Sequence, residues 1–594
     1  MDKSNSSPNF FSNVCCSGVL LVLAFVVIFA ISGPFEYGSK LPKPTLWVTG
    51  LLLLGTGVAF WGLGQAIKAQ DNRKLLFTVV LVSVSLRLIG LFTCPILEID
   101  YYRYLWDGKV VAQGVSPYQY SPGQILKHGE DSGSQLVKGL PDDSDLEKLI
   151  DLSVASQSNN TIVSRIHFSE YSTIYPPISQ VVFGTTMKWF PASASVVAHI
   201  FSIKAILVSF DLMILAVILW LLNHLKIHTG WSIAYAWNPL VLKEISNGGH
   251  LDSIAAFFLI LSICLLAKWL AQKQPNSIPW LPALSGISLG LGVGAKLFPI
   301  VLFPALFVTA ARVSWSRALL FGVAFAVAAG LSFYPMYRSI NQTSQDLTAQ
   351  RTQQNVSTAT IEASPSAVTE DNPRQTSQAE NSKKEGLTSF LSKWRMNDVI
   401  FSGIYLNLKT TSVAKSDLPW YVITTAEFRR WAYEQWERLS PDSDNPAFSM
   451  TRVLTLGPFV LFYLWQLVAI YFARPATETT ADGRIQKSPE GIEFNRLVWI
   501  LVIFLFLQPT VNPWYWVWVA PLTVLTKNRG WILAGGLLLL YYSRFWFESL
   551  PDSFEIAGYS GVGLFDHGIA WIEFAAVVGV IAMTGAYKKT VGNK

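Results

Sequence analysis

The feature that most constrains this chain is the length of its apolar blocks. They fall at about 17–33, 46–67, 75–95, 197–223, 231–243, 251–270, 280–311, 316–335, 452–473, 495–526, 531–548 and 568–586. Crossing the roughly 30 Å of bilayer hydrocarbon takes about 20 apolar residues in a helix, and this chain supplies such blocks repeatedly. Only 14% of its 594 residues are charged, against about 25% for a soluble domain. The expected fold class is an all-α polytopic membrane protein. Many of the Trp, Tyr and Phe residues lie near block ends, as interfacial anchors do. The first block is read as a span and not as a signal peptide, because Gly33-Pro34-Phe35-Glu36 makes a poor cleavage site.

Positive charge sets the expected orientation. With Lys3 inside, the short inner loops hold Lys68, Arg73 and Lys74; Lys226; Lys273; Arg312 and Arg317; Arg474, Arg484 and Lys487; and Lys527 and Arg529. The tail with Lys588 and Lys589 also falls inside, so both termini are expected in the cytoplasm. The agreement requires 280–311 and 495–526 each to be split into two short spans, giving about 13–14 in all. A continuous 32-residue helix would be ~48 Å long, too long for one crossing. Each block also carries its own breaker, Gly294-Ala295-Lys296 with Pro299 in one and Gln508-Pro509-Thr510-Val511-Asn512-Pro513 in the other. Irregular backbone at membrane depth survives only where it lines a cavity or is buried in protein, so both breaks are site candidates.

Five regions follow: N-terminal spans 1–95, an extracytoplasmic loop 96–196, central spans 197–335, a second extracytoplasmic loop 336–450, and C-terminal spans 451–594. Within the second loop, 341–385 is rich in Ser, Thr, Gln, Asn and Glu and is expected to be disordered. Helical spacing and aromatic weight return from Gly386 onward. The segment 176–190 is expected to be a helix on or in the outer surface, since a span there would invert every later loop against the charge rule.

Composition also excludes classes. The four cysteines lie within or beside apolar blocks and have no metal or disulfide spacing. No basic stripe suggests nucleic acid. The short cytoplasmic loops leave no room for a soluble nucleotide-sugar or ATP-binding domain, and no supported phosphate-loop or metalloprotease motif occurs. A donor or ligand would have to be reached from the membrane or from outside.

The polar clusters sit at the predicted outer ends. Glu98-Ile99-Asp100-Tyr101-Tyr102-Arg103-Tyr104-Leu105-Trp106-Asp107-Gly108 follows the third block. A helix there would carry Asp100, Arg103 or Tyr104, and Asp107 on one face; a solvated, salt-bridged interfacial helix is the plainer alternative. Trp237-Asn238-Pro239-Leu240 precedes Glu244, Asn247, His250 and Asp252, where Asp252 could instead cap the next span. Lys296 stands at the first break, where an ionisable group at membrane depth points to function unless it snorkels to the interface. Trp394-Arg395-Met396-Asn397-Asp398 and Asn512-Pro513-Trp514-Tyr515 complete the set.

These motifs, with Ser116-Pro117-Tyr118, Tyr175-Pro176-Pro177-Ile178, Gly249-His250-Leu251-Asp252 and Ala295-Lys296-Leu297-Phe298-Pro299, occur in an order that resembles bacterial polyprenyl-phosphate-mannose-type mannosyltransferases of the GT-C superfamily. The resemblance covers most of the chain from about residue 90. It implies inverting transfer of a hexose, mannose by family habit, from a polyprenyl-phosphate sugar to an extracytoplasmic glycan or lipid acceptor, with membrane lipids around the protein. Asp100 would be the general base. Lys296 and Arg395, with Arg103 third, would balance the leaving phosphate, and His250 and Asp252 would hold sugar hydroxyls. Asp107, Tyr175, Asn238, Asn397, Asp398, Asn512 and Trp514 join them as expected substrate contacts. Three spans precede Asp100 where many GT-C enzymes have one. Glu98 and Asp100 form the kind of acidic pair a divalent cation would use, but one pair is too few ligands, so no metal or other cofactor is expected. The competing class is a transporter or flippase of a lipid-linked or polar solute, which broken helices also serve; no clear internal repeat supports it.

Overall fold

The computed structural model describes residues 9–131, 144–272, 278–361, 394–410, 419–440, 445–473, 477–479, 485–487 and 491–591. Among these, strand pairing is confined to two small hairpins, 477–479 with 485–487 and 555–556 with 559–560. The protein is all-α. Among the described residues, eight helices are long and apolar enough to cross a membrane: Phe10–Ala30, Thr45–Ala66, Arg73–Phe92, Val196–His224, Asp252–Leu270, Trp315–Ser339, Pro446–Phe472 and Gly561–Met583. Shorter apolar helices, Leu281–Ala295, Phe298–Ala311 and Phe494–Phe506, occupy blocks where short, broken spans are expected.

Both expected breaks are present. The helix Leu281–Ala295 ends at Lys296, whose backbone is extended, and the chain resumes as a 3-10 turn, Phe298–Leu302, before Phe303–Ala311. The helix Phe494–Phe506 likewise gives way to irregular backbone ahead of a 3-10 turn, Pro513–Trp518. A third interruption surrounds Pro239, where a single turn leads into the π-helical Leu242–Asn247. The segment 176–190 forms the helix Pro177–Trp189, only 13 residues long. It packs on Tyr101–Ala112 and is too short to span. The helix from Trp315 continues to Ile361, so the first part of the stretch expected to be disordered is helical, and 362–385 lies outside the described residues. Order after Gly386 is seen from Trp394, with a helix at Val399–Tyr405.

Two devices pack the helices. The helix Leu281–Ala295 approaches the helix from Trp315 through glycines: a Cβ at Gly286 would lie 2.2 Å from the Phe321 carbonyl oxygen, and one at Gly290 2.8 Å from the Ala328 Cβ. Small residues at four-residue spacing let helix backbones meet where lipid offers no hydrophobic drive. The other device is a buried ion pair. Arg87 on Arg73–Phe92 grips Asp211 on Val196–His224 with Nε to Oδ2 at 2.6 Å and Nη2 to Oδ1 at 3.2 Å. The same guanidinium donates to the Ser83 hydroxyl at 2.6 Å and the Ala236 carbonyl at 2.9 Å, and Tyr235 donates to Asp211. Two spans and the turn before Pro239 are thereby tied together.

Removing one partner strands a buried charge, at a cost of about 3–5 kcal/mol. Arg87→Met is therefore expected to lower the Tm of the detergent-solubilised protein sharply. The double change Arg87→Met with Asp211→Asn should recover part of the loss, and thermal unfolding of the two variants checks this.

Candidate active site

Four helix ends meet at one end of the bundle. The helix Arg73–Phe92 runs into 93–100, Asp252–Leu270 begins there, and Leu281–Ala295 and Phe494–Phe506 finish there. Because chain direction alternates, residues far apart in sequence are brought together.

The approach to Asp100 is held by buried side chains that complete the backbone. Lys204 donates to the carbonyls of Gly90 and Thr93 at 2.9 and 2.8 Å, at the C-terminus of the third span, where a cation suits the helix dipole. Asn247 accepts from the Ile96 amide at 3.0 Å and donates to the Cys94 carbonyl at 2.8 Å. Glu98 turns back so that its Oε1 accepts from the amides of Ile99 and Asp100 at 2.9 and 2.8 Å. Asp100 thus sits just before the helix Tyr101–Ala112, half-buried and open enough to be reached. Tyr175 donates to its Oδ2 at 3.3 Å.

His250 faces this carboxylate pair. Its Nε2 lies 2.8 Å from Glu98 Oε2 and 3.3 Å from Glu244 Oε2, and its ring stacks on Trp514, with centroids 4.6 Å apart and planes within 16°. Gly249, with φ of 72°, adopts the left-handed conformation that brings the chain into this turn, a geometry glycine takes without strain. Tyr542 donates to Glu244 and lies 2.8 Å from Lys243 Nζ. Lys296 sits on Asp252, with Nζ at 2.7 and 2.8 Å from its two oxygens. Trp518 also donates to Asp252, and the Lys296 ammonium lies 5.0 Å from the Tyr515 ring centre.

The charges act on one another. Burial, and then the neighbouring Glu98 carboxylate, push the Asp100 carboxyl up to about 6, while His250 and Lys296 limit the rise. Burial works against ionised Glu98 as well, but the His250 imidazolium and then Lys243 hold it at about 2. His250, in the turn ahead of the span at Asp252, resists burial through Glu98 and Glu244 and is raised to about 10. The arrangement is one poised carboxylate beside a permanent carboxylate–imidazolium pair. Glu98, Asp100 and His250 also offer three ligand atoms within 4.8 Å of one another, the one grouping among the described residues that could hold a metal ion. As they stand, the imidazole nitrogen aimed at that point lies within ion-pair distance of two carboxylates but makes no hydrogen bond among the described residues.

The expected site residues divide into those that converge and those that do not. Asp100, Tyr175, His250, Trp514, Lys296 and Asp252 come together. Arg103 and Asp107, one and two turns along the helix from Asp100, whose own backbone is already helical, pair with each other at 3.0 Å. Arg103 also donates to the Tyr171 carbonyl at 2.9 Å, and Asp107 accepts from Gln180 at 3.1 Å. Together they brace the loop that carries Tyr175. Asn238 is buried and caps the turn at Pro239, accepting from Leu240 N at 3.0 Å. Arg395 pairs with Asp398 at 3.2 Å and lies over the Tyr405 ring, its centre 4.2 Å away. Asn397 bonds the Val511 carbonyl and Glu573, and Asn512 is buried just ahead of the 3-10 turn. Sequence reasoning gave no role to Lys204, Tyr542 or Trp518, and it named Glu98 and Glu244 only as members of polar clusters. An ionisable residue inside an apolar stretch was the available signal for Lys204; the others had none beyond their neighbours.

Fold and site together define a many-helix membrane protein with an acid–imidazole cluster at one end of its bundle. The model of glycosyltransferase family 87 matches residues 173–375, about a third of the chain, and supports a membrane glycosyltransferase of the GT-C type. The matched stretch includes Tyr175, His250, Asp252 and Lys296, while Asp100 and Trp514 lie outside it. No curated protein and no solved structure matches the chain significantly.

The pairing of His250 gives a check that needs no substrate. Its imidazole should stay doubly protonated through neutral pH and titrate only near 10. Nitrogen-15 NMR of histidine-labelled protein reads this directly, and a His250 resonance titrating near 6.5 would overturn the carboxylate cage.

Proposed function

We propose that this chain transfers a hexose, mannose by resemblance, from a polyprenyl-phosphate sugar to a glycan or lipid acceptor on the extracytoplasmic face, with inversion at the anomeric carbon. The observation that carries the reading is Asp100: a reachable carboxylate whose basicity is raised by burial and Glu98, beside a fixed imidazolium. A general base works best with a pKa near the working pH. Asp100 takes the proton of the acceptor hydroxyl as that oxygen attacks the anomeric carbon; the bond to the phosphate oxygen breaks, and the polyprenyl phosphate leaves with its electron pair. Fixed positive charge nearby stabilises the developing anion. His250 and Lys296 supply it at this end of the bundle, although both carry carboxylate partners. Arg395, held by Asp398 at the edge of the second loop, is placed to meet the lipid phosphate from farther out. Tyr175 and Trp514 flank the reacting sugar.

Charge placement favours the outer face. Arg73 and Lys74 begin the helix whose far end leads to Asp100, Lys268 closes the helix that starts at Asp252, and Arg496 opens the helix that leads to Trp514. The basic ends therefore lie opposite the cluster, as the charge rule asks of a site facing away from the cytoplasm.

Asp100→Asn is expected to abolish transfer in purified, folded protein offered labelled polyprenyl-phosphate sugars, and substantial activity in that variant would remove Asp100 as the base. In the native enzyme the rate should fall as pH drops through about 6, where Asp100 becomes protonated. Because Glu98 raises the Asp100 pKa, Glu98→Gln should move that acid limb to lower pH. A limb that stays fixed or moves upward in a pH–rate profile would contradict the assignment. Mass analysis of cell-envelope glycans after loss of the protein identifies the sugar and acceptor.

A further inference from the structure

Glu573 lies in the last long apolar helix and is fully buried, yet it belongs to none of the motifs above. An ionised or polar group in such a place is expensive and calls for a reason. Its Oε1 accepts from Asn397 Nδ2 at 3.1 Å, and among the described residues its Oε2 has no hydrogen-bond partner. Both residues line a small cavity with Val511, Phe506 and Leu538.

Asn397 is itself unusual. Its φ is 52°, in the left-handed region that Asn tolerates better than most residues but that still costs free energy unless its surroundings enforce it. The same amide donates to the Val511 carbonyl at 3.2 Å. On its N-terminal side the chain pairs with the second helix break like a short parallel strand: the Met396 amide donates to the Pro509 carbonyl at 2.9 Å, and the Val511 amide to the Met396 carbonyl at 2.8 Å. Three residues after Val511 comes Trp514, the ring stacked on His250.

We propose that Glu573 is a positioning residue, which through Asn397 clamps the second loop onto the break at 509–512 and so sets the Trp514 ring against His250. This rests on the glycosyl-transfer reading of the site. A purely structural glutamate would stabilise the helix without coupling to the break. The clamp predicts that order at 396–397 and geometry at 511–514 rise and fall together. Small displacements of groups near reacting atoms can cost about 10²-fold in rate.

The test uses the full-length protein in nanodiscs with Cys15, Cys16, Cys94 and Cys264 replaced by Ser and the pair Met396→Cys and Thr510→Cys added. These positions face each other across the bridge, within the separation a disulfide can span. With Glu573 present, oxidation should close the bridge quickly; with Glu573→Ala it should close at least about tenfold more slowly, and Glu573→Gln, which keeps a carbonyl for Asn397, should restore the rate. Equal cross-linking rates in all three would overturn the clamp whether or not transfer has been observed. In the transfer assay, Glu573→Ala should lower kcat by roughly 10- to 100-fold with KM little changed, and closing the 396–510 disulfide should rescue it reversibly. A slowed cross-link with unchanged kcat, or a loss that the disulfide does not rescue, would overturn the positioning role. Absence of transfer in the parent protein would count against the glycosyl-transfer reading alone, because the cross-linking rates still report on the clamp.

Discussion

The structure depends on one constraint: peptide groups freed where a helix breaks inside a membrane must find partners within the protein. Here buried polar side chains supply them. Lys204 takes the last carbonyls of the third span, Asn247 holds both sides of the following turn, Arg87 reaches the Ala236 carbonyl, and the Ser179 hydroxyl donates to the Ala295 carbonyl at 2.8 Å. Without these contacts the breaks would expose unsatisfied amides, and regular helices would be favoured. With them, four helix ends can meet and bring their polar side chains together.

The site inherits its electrostatics from that arrangement. Breaks bring Glu98, Glu244 and His250 close together away from bulk water, so each charge is felt strongly by the next. A lone buried carboxylate would neutralise itself by taking up a proton. The His250 imidazolium instead keeps Glu98 ionised, and Glu98 in turn makes Asp100 a better base than an exposed aspartate. Lys296 and Asp252 make a second, self-contained pair a short way off, packed among Tyr515 and Trp518. Aromatic rings take up the faces of both cations, which fixes their position at little desolvation cost.

Much of this was legible in advance, and the reasons differ by residue. The spans were readable because twenty apolar residues in a row have few other uses in a chain. The breaks at Lys296 and at Asn512-Pro513 were readable because Gly and Pro at the middle of an overlong block conflict with a continuous helix. Asp100, His250 and Lys296 were readable as polar residues at the ends of those blocks. Partners were not. Helical spacing put Asp107 on the face of Asp100, but it did not say that Arg103, four residues before Asp107 and at the spacing where helical ion pairs form, would take Asp107 as its partner. Asp252, expected to hold a sugar hydroxyl or else to cap the next span, is the counter-ion of Lys296, which comes from another helix.

By itself, then, the sequence determined that this chain is a helical membrane protein, where its long apolar helices fall, and which helices are interrupted, because hydrophobic length and backbone chemistry are local properties. Which carboxylate meets which cation was decided only by tertiary structure. Residues 98, 244 and 250, or 397, 511 and 573, become neighbours through helix packing, and no spacing along the chain encodes those distances.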